Sequence, residues 1–148
     1  MSRNKKILIL FLIFVCVFVI GRVFYSKTEK GELVVGGKTF SVEIADNAIT
    51  LERGLSLHPP IRDDEGMFFI FPKPYNYGFW MKEMLFPLDI VWIDPDFRII
   101  YIEHSLATST YPQSFFPNGQ ALYVLEVNAG QMDALGVKIG DTVNFIKK

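Results

Sequence analysis

The sequence predicts a mainly β domain, a compact antiparallel β-barrel or sandwich with one or two short helices, preceded by one N-terminal transmembrane helix. Three observations predict it. An unbroken apolar run, Ile7 to Ile20, follows a basic start of Arg3, Lys5 and Lys6. From residue 32 onward, short stretches of alternating or wholly apolar residues are separated by Gly, Pro and Asp turns. Long helical repeats between those stretches are missing, which argues against a doubly wound α/β sheet.

The run Ile7–Ile20 has 14 residues, about 21 Å as a helix at 1.5 Å per residue. Extending it to Tyr25, with Arg22 snorkelling, brings it to roughly 28 Å, near the bilayer core of about 30 Å. No small-residue cleavage site follows Ile20, and Val15 precedes Cys16 where a lipoprotein signal wants a small residue. The expectation is an uncleaved signal anchor over 1–25, a linker over 26–31 and a domain over 32–148. Secretion after cleavage stands as the alternative. The short basic tail places the N-terminus in the cytoplasm, hence a single-pass cell-membrane protein with an extracytoplasmic domain. Residues 1–30 hold six basic residues and one acidic, a net of +5, whereas 31–148 hold nine basic and fifteen acidic, a net of −6. An acidic body argues against nucleic acid as the main partner. Cys16 is the only cysteine, so disulfides do not staple the domain.

Along the domain, Leu33–Val35, Gly36-Gly37 and Lys38–Ile44 form a hairpin, because Gly-Gly supplies the positive φ of a tight turn. Asp46 or Asn47 caps a short helix from about Ala48 to Gly54, with Ile49 and Leu55 facing the core. Met67–Phe71 reads as a strand covered on both faces and broken by Pro72 and Pro74. Tyr77–Lys82, Leu88–Ile93 and Phe97–Glu103 continue an antiparallel meander, the last two joined by the turn Asp94-Pro95-Asp96. Residues 105–120 form a long irregular loop with Phe115 and Phe116 packed. Ala121–Asn128 is a strand, Ala129–Leu135 a helix closed by Gly136, and Thr142–Ile146 the last strand.

The sequence holds no GxGxxG, P-loop, CxxC, HExxH or Gly-x-Ser-x-Gly motif. No cofactor is expected, and His58 and His104 stand too far apart, without Cys, for a His/Cys metal site. The acidic triplet Asp63-Asp64-Glu65 reads as a solvated turn rather than a Ca²⁺ loop. Trp80, Trp92, Tyr75 and Tyr77 could line a sugar or apolar ligand site, but at strand spacing they read as core. Candidates arise where polar residues share a strand face with apolar ones. Asp89 lies on the Val91/Ile93 side of its strand, Glu126 and Asn128 share a side with Leu122 and Val124, and Lys82 shares one with Trp80. A carboxylate kept there must be paired, hydrogen-bonded or protonated. One reading is an internal cluster: Asp89 on backbone N–H groups at the Pro87 turn, and Glu126 holding Arg53 or Lys82. The other is a pocket where Lys82, Asp89 and Glu126 converge on a polar ligand or work as acid and base. Arg53 suits a carboxylate clamp, or an ion pair with Asp63, Asp64 or Glu65.

Arg53-Gly54-Leu55, Asp64-Glu65-Gly66-Met67, Phe79-Trp80-Met81-Lys82, Pro87-Leu88-Asp89-Ile90, Ile93-Asp94, and Tyr123 to Gly130 through Gly140-Asp141 together resemble the domain-of-unknown-function family numbered 192. The resemblance covers roughly 32–147. It implies a small, mainly β domain, often exported or membrane-anchored, and no substrate, cofactor or reaction. Lys82, Asp89, Glu126 and Asn128 match motif positions. Glu83-Met84 stand where the family often has Asn-Thr, Ala107-Thr108 where it often has Pro-Cys, and Arg53 is unusually close to Gly54. The expected function is a membrane-tethered binding or assembly module for a small polar ligand or an envelope partner. The alternatives are a small hydrolase using Asp89, Glu126 and Lys82, and a purely structural envelope domain.

Overall fold

The computed structural model describes residues 29–147. The expected anchor therefore lies outside the described residues. Among these, no helix is long and apolar enough to cross a membrane. The described residues form nine strands: β1 (Lys30–Val35), β2 (Lys38–Ala45), β3 (Glu65–Tyr75), β4 (Phe79–Trp80), β5 (Leu88–Ile93), β6 (Ile99–Leu106), β7 (Ser114–Phe115), β8 (Ala121–Asn128) and β9 (Asn144–Lys147). Also among the described residues are two short α-helices, α1 (Ala48–Arg53) and α2 (Gln131–Ala134), and a 3₁₀ turn at Thr108–Thr110.

Seven strands form one sheet in the order β6-β5-β8-β3-β2-β1-β9, while β4 and β7 pair separately. The expected mainly β class holds. The large sheet is not a closed barrel: its edges meet only at one isolated bridge, Arg98 to Thr142. Nor is it wholly antiparallel, since β2 and β3 run parallel, with Ser41 beside Glu65 and Ala45 beside Phe69. Parallel neighbours need a crossover, and residues 46–64 provide it, carrying α1.

Gly36 and Gly37 have φ of +57° and +77°, as a hairpin turn with two left-handed residues requires. The α1 N-terminus is capped reciprocally, Asn47 accepting from the Thr50 N–H and Thr50 Oγ1 accepting from the Asn47 N–H. Ile49, expected inside, is exposed, and Thr50 is the buried residue of this six-residue helix. β3 runs through Pro72 and Pro74 rather than ending there. Its pairing with β8 lapses between Ile70 and Tyr75, so neither proline has to supply a ladder N–H. The Tyr77–Lys82 strand shrinks to β4, and the 105–120 loop contributes β7 against it.

Both faces of the sheet are covered. All six residues of β5 are buried. Val91, Ile93, Phe68, Leu125 and Val127 pack on one face with Met132, Val137 and Val143. Leu88, Ile90, Trp92, Met67, Phe69 and Val124 pack on the other with Leu55, Phe79, Met81, Met84 and Phe86. The period of two along β5 and β8 thus sends alternate residues to two different cores.

Candidate functional site

That alternation decides how the candidate residues are grouped. Asp89 stands opposite Val127, and Ile90 opposite Glu126, across the β5–β8 pair. The carboxyl groups of Asp89 and Glu126 consequently project from opposite faces of the sheet and do not share a cleft.

Asp89 is fully buried on the α2 face. Its Oδ1 accepts from the N–H groups of Ser105 (2.8 Å) and Gly130 (3.0 Å), and its Oδ2 from that of Met132 (2.8 Å). Gly130, the N-cap residue of α2, has no side chain to bond the first-turn N–H groups. Asp89 does so from β5, forty-odd residues away in the chain. The backbone partners were anticipated, though at the Pro87 turn. Pro87 instead accepts from the Ala129 N–H at 3.2 Å. Nearby on the surface, His104 Nδ1 lies 2.9 Å from Asp133 Oδ1 and links β6 to α2.

Glu126 is 4% exposed on the other face. Its Oε2 is buried without a hydrogen-bond partner among the described residues. Neither Arg53 nor Lys82 pairs with it, contrary to one expectation. Burial pushes its pKa up to about 8, opposed only by the Leu55 backbone N–H. The carboxyl lies at the floor of a cleft of about 110 Å³ whose rim includes Glu52, Arg53 and Ser56, and whose aromatic wall includes Phe71, Tyr77 and Trp80. Phe71 and Tyr77 stack with centroids 3.6 Å apart, and Phe79 meets Phe71 edge-on. Gly54, at φ +51° and ψ −138°, turns the chain over the carboxyl. A Cβ there would lie 3.2 Å from Phe69 Cζ and 3.7 Å from Glu126 Oε2. Glycine lets the backbone approach at a conformation side-chain-bearing residues rarely adopt.

The remaining candidates are dispersed. Arg53 is exposed at the cleft rim and forms no ion pair with Asp63, Asp64 or Glu65. Arg62 takes Asp64 (3.0 Å) and Glu65 (3.5 Å) instead. Lys82 is exposed, with Nζ 5.9 Å from the Trp80 ring centroid. Asn128 shares the side of Glu126 but ties down the crossover, donating to Ile61 O (2.9 Å) and Asp63 Oδ1 (3.1 Å). Sequence reasoning ranked the aromatic wall second to a core reading. Tyr75, Trp80 and Phe116, expected as core, are 56%, 48% and 53% exposed. The missed signal was Gly78, against which Phe116 packs.

Residues 31–145 match the family designated DUF192 and described as "Uncharacterized ACR". The chain belongs to this family. A UPF0127 protein of Thermococcus sibiricus (strain DSM 12597 / MM 739) is 29% identical over 123 residues, covering 81% of this chain and 72% of its own. A UPF0127 protein of Thermococcus gammatolerans is 28% identical over 106 residues, covering 70% of this chain and 65% of its own. Among crystal structures, a protein of unknown function from Novosphingobium aromaticivorans DSM 12444 superposes with a TM-score of 0.70 at 30% identity, over 78% of this chain and 83% of that one. A Sinorhizobium meliloti 1021 protein, provisionally described as a transcription regulator, gives 0.71 at 30% identity, over 80% and 93%. The family resemblance of the sequence motifs is thereby shown.

Proposed function

We propose that the domain of this DUF192 protein is a non-enzymatic binding module for a small polar ligand, with its site in the Glu126 cleft. The observation that supports this best is the partnerless Oε2 of Glu126. A buried polar atom without a partner costs roughly 1–3 kcal/mol. A purely structural domain gains nothing from keeping one beneath an aromatic-walled opening, whereas a ligand donor would satisfy it. The acid–base alternative needed Asp89 and Glu126 in one cleft, and their opposite faces remove that pairing. The regulator description of the Sinorhizobium protein does not transfer readily, because residues 31–148 carry a net charge of −6.

The proposal includes location. The basic start and the Ile7–Ile20 run support a single membrane anchor with the domain outside the cytoplasm. Alkaline extraction of membranes should leave the full chain in the pellet, and its release would refute the anchor. For the site, a thermal-shift screen of the full chain in detergent against sugars, amino acids, amines and metal salts tests the cleft. A ligand that prefers the native state raises the melting temperature. The expected hit stabilises the wild type and not Glu126→Gln. If no compound does so, or every hit stabilises both proteins equally, the cleft is not the site.

A further inference from the structure

The cleft presents two groups of opposite preference that no other side chain among the described residues engages. At the floor, Glu126 Oε2 lacks a donor. At the rim, Arg53 is exposed and its side chain forms no ion pair or hydrogen bond among the described residues. Between them stands the aromatic wall of Phe71, Tyr77 and Trp80. The other titratable side chains lining the cleft are Glu52 and Tyr77, and Tyr77 Oη donates outward to the Lys73 carbonyl at 2.8 Å.

Each group excludes some ligands. A simple anion would suit Arg53 but bring no N–H donor to Glu126 Oε2. A simple cation would suit Glu126 and the aromatic faces but meet Arg53 at the entrance. A neutral sugar would leave the guanidinium without its matching planar acceptor. The volume of about 110 Å³ admits a molecule on the order of several waters in size. We infer that the cleft takes a small zwitterion, an α-amino acid with a short side chain, its ammonium on Glu126 and its carboxylate on Arg53. This rests on the cleft being the binding site.

Binding so arranged moves a proton. The free carboxyl is largely neutral at pH 7, since burial raises its pKa to about 8. An ammonium beside it favours the ionised form, so the carboxyl proton leaves to solvent as the ligand enters. Calorimetric titration of the full chain at pH 7 with glycine, L-alanine and L-serine, in buffers of different ionisation enthalpy, measures that proton. At least one of them should bind with release of nearly one proton. Ethylamine and acetate should bind at least tenfold more weakly. Arg53→Gln, an exposed substitution that leaves folding intact, should weaken the amino acid at least tenfold. Glu126→Gln should abolish proton release. Ethylamine binding as tightly as alanine, binding without proton release, or no binding by all three amino acids would each overturn the inference. If the thermal-shift screen finds a Glu126-dependent ligand while these amino acids fail, the cleft remains a site and only the zwitterion falls. If nothing binds in either experiment, both fall.

Discussion

The two faces of the sheet treat a buried carboxyl in opposite ways. On the α2 face, Asp89 is surrounded by backbone donors and welds β5 to the end of β6 and the start of α2. On the cleft face, Glu126 is just as inaccessible, yet one of its oxygens has nothing to accept from. The residues are near neighbours across one strand pair. The first arrangement uses a buried carboxyl to hold the fold together; the second keeps one at a cost in stability, as functional sites commonly do.

Breaking the Asp89 side should have the largest effect. Asp89→Ala strands three backbone N–H groups, and we expect a loss of roughly 3–5 kcal/mol in denaturant unfolding. A loss below 1 kcal/mol would show that the face does not depend on this carboxylate. Glu126 should behave in the reverse sense. Its folded pKa, about 8, lies above the ordinary carboxyl value of 4.5, so the folded state holds its proton more tightly than the unfolded state. Stability is then full below about pH 4.5 and falls as pH rises through about 8. Glu126→Gln removes that titration. It should be more stable than wild type at pH 9 by on the order of 2–4 kcal/mol, with the difference shrinking toward pH 5. Parallel stability–pH curves for the two proteins would contradict the assignment. Gly54→Ala forces a side chain into a strained conformation against Phe69, costing about 1–3 kcal/mol by thermal unfolding. An unchanged melting temperature would mean that the turn relaxes. The smallest effect belongs to the exposed His104–Asp133 pair. His104→Gln should cost under about 1 kcal/mol, and a larger loss would make this surface link a partner of Asp89 in holding α2.

Much of this was legible from residue types. β5 and β8 fall where Leu88–Ile93 and Ala121–Asn128 were read, because each stretch carries strong strand formers between turn residues. Period two also put Asp89 and Glu126 on their correct sides, since Val91/Ile93 and Val124 mark different cores. Spacing could not show that β5 and β8 are adjacent, a long-range pairing that sets the two side chains back to back. Trp80 illustrates another limit. Its composition says core, but it sits on a two-residue strand at the margin, where the aromatic surface is half open. The parallel β2–β3 pair was equally hidden, because the crossover of residues 46–64 contains only one six-residue helix and two prolines to announce it.

The outermost strands carry a consequence for how the domain can be cut and rejoined. β9 lies against β1, with Lys147 opposite Gly31, and Lys147 also pairs with Glu29. Cross-strand Cα atoms in such a ladder are about 5 Å apart, so the chain enters and leaves the domain at the same edge. A linker of a few residues could join these ends, and new termini could open at an exposed loop tip such as Gly119 without altering the order of strands. The domain is therefore a cassette: insertable into a host loop, or permutable, with the Glu126 cleft carried along whole.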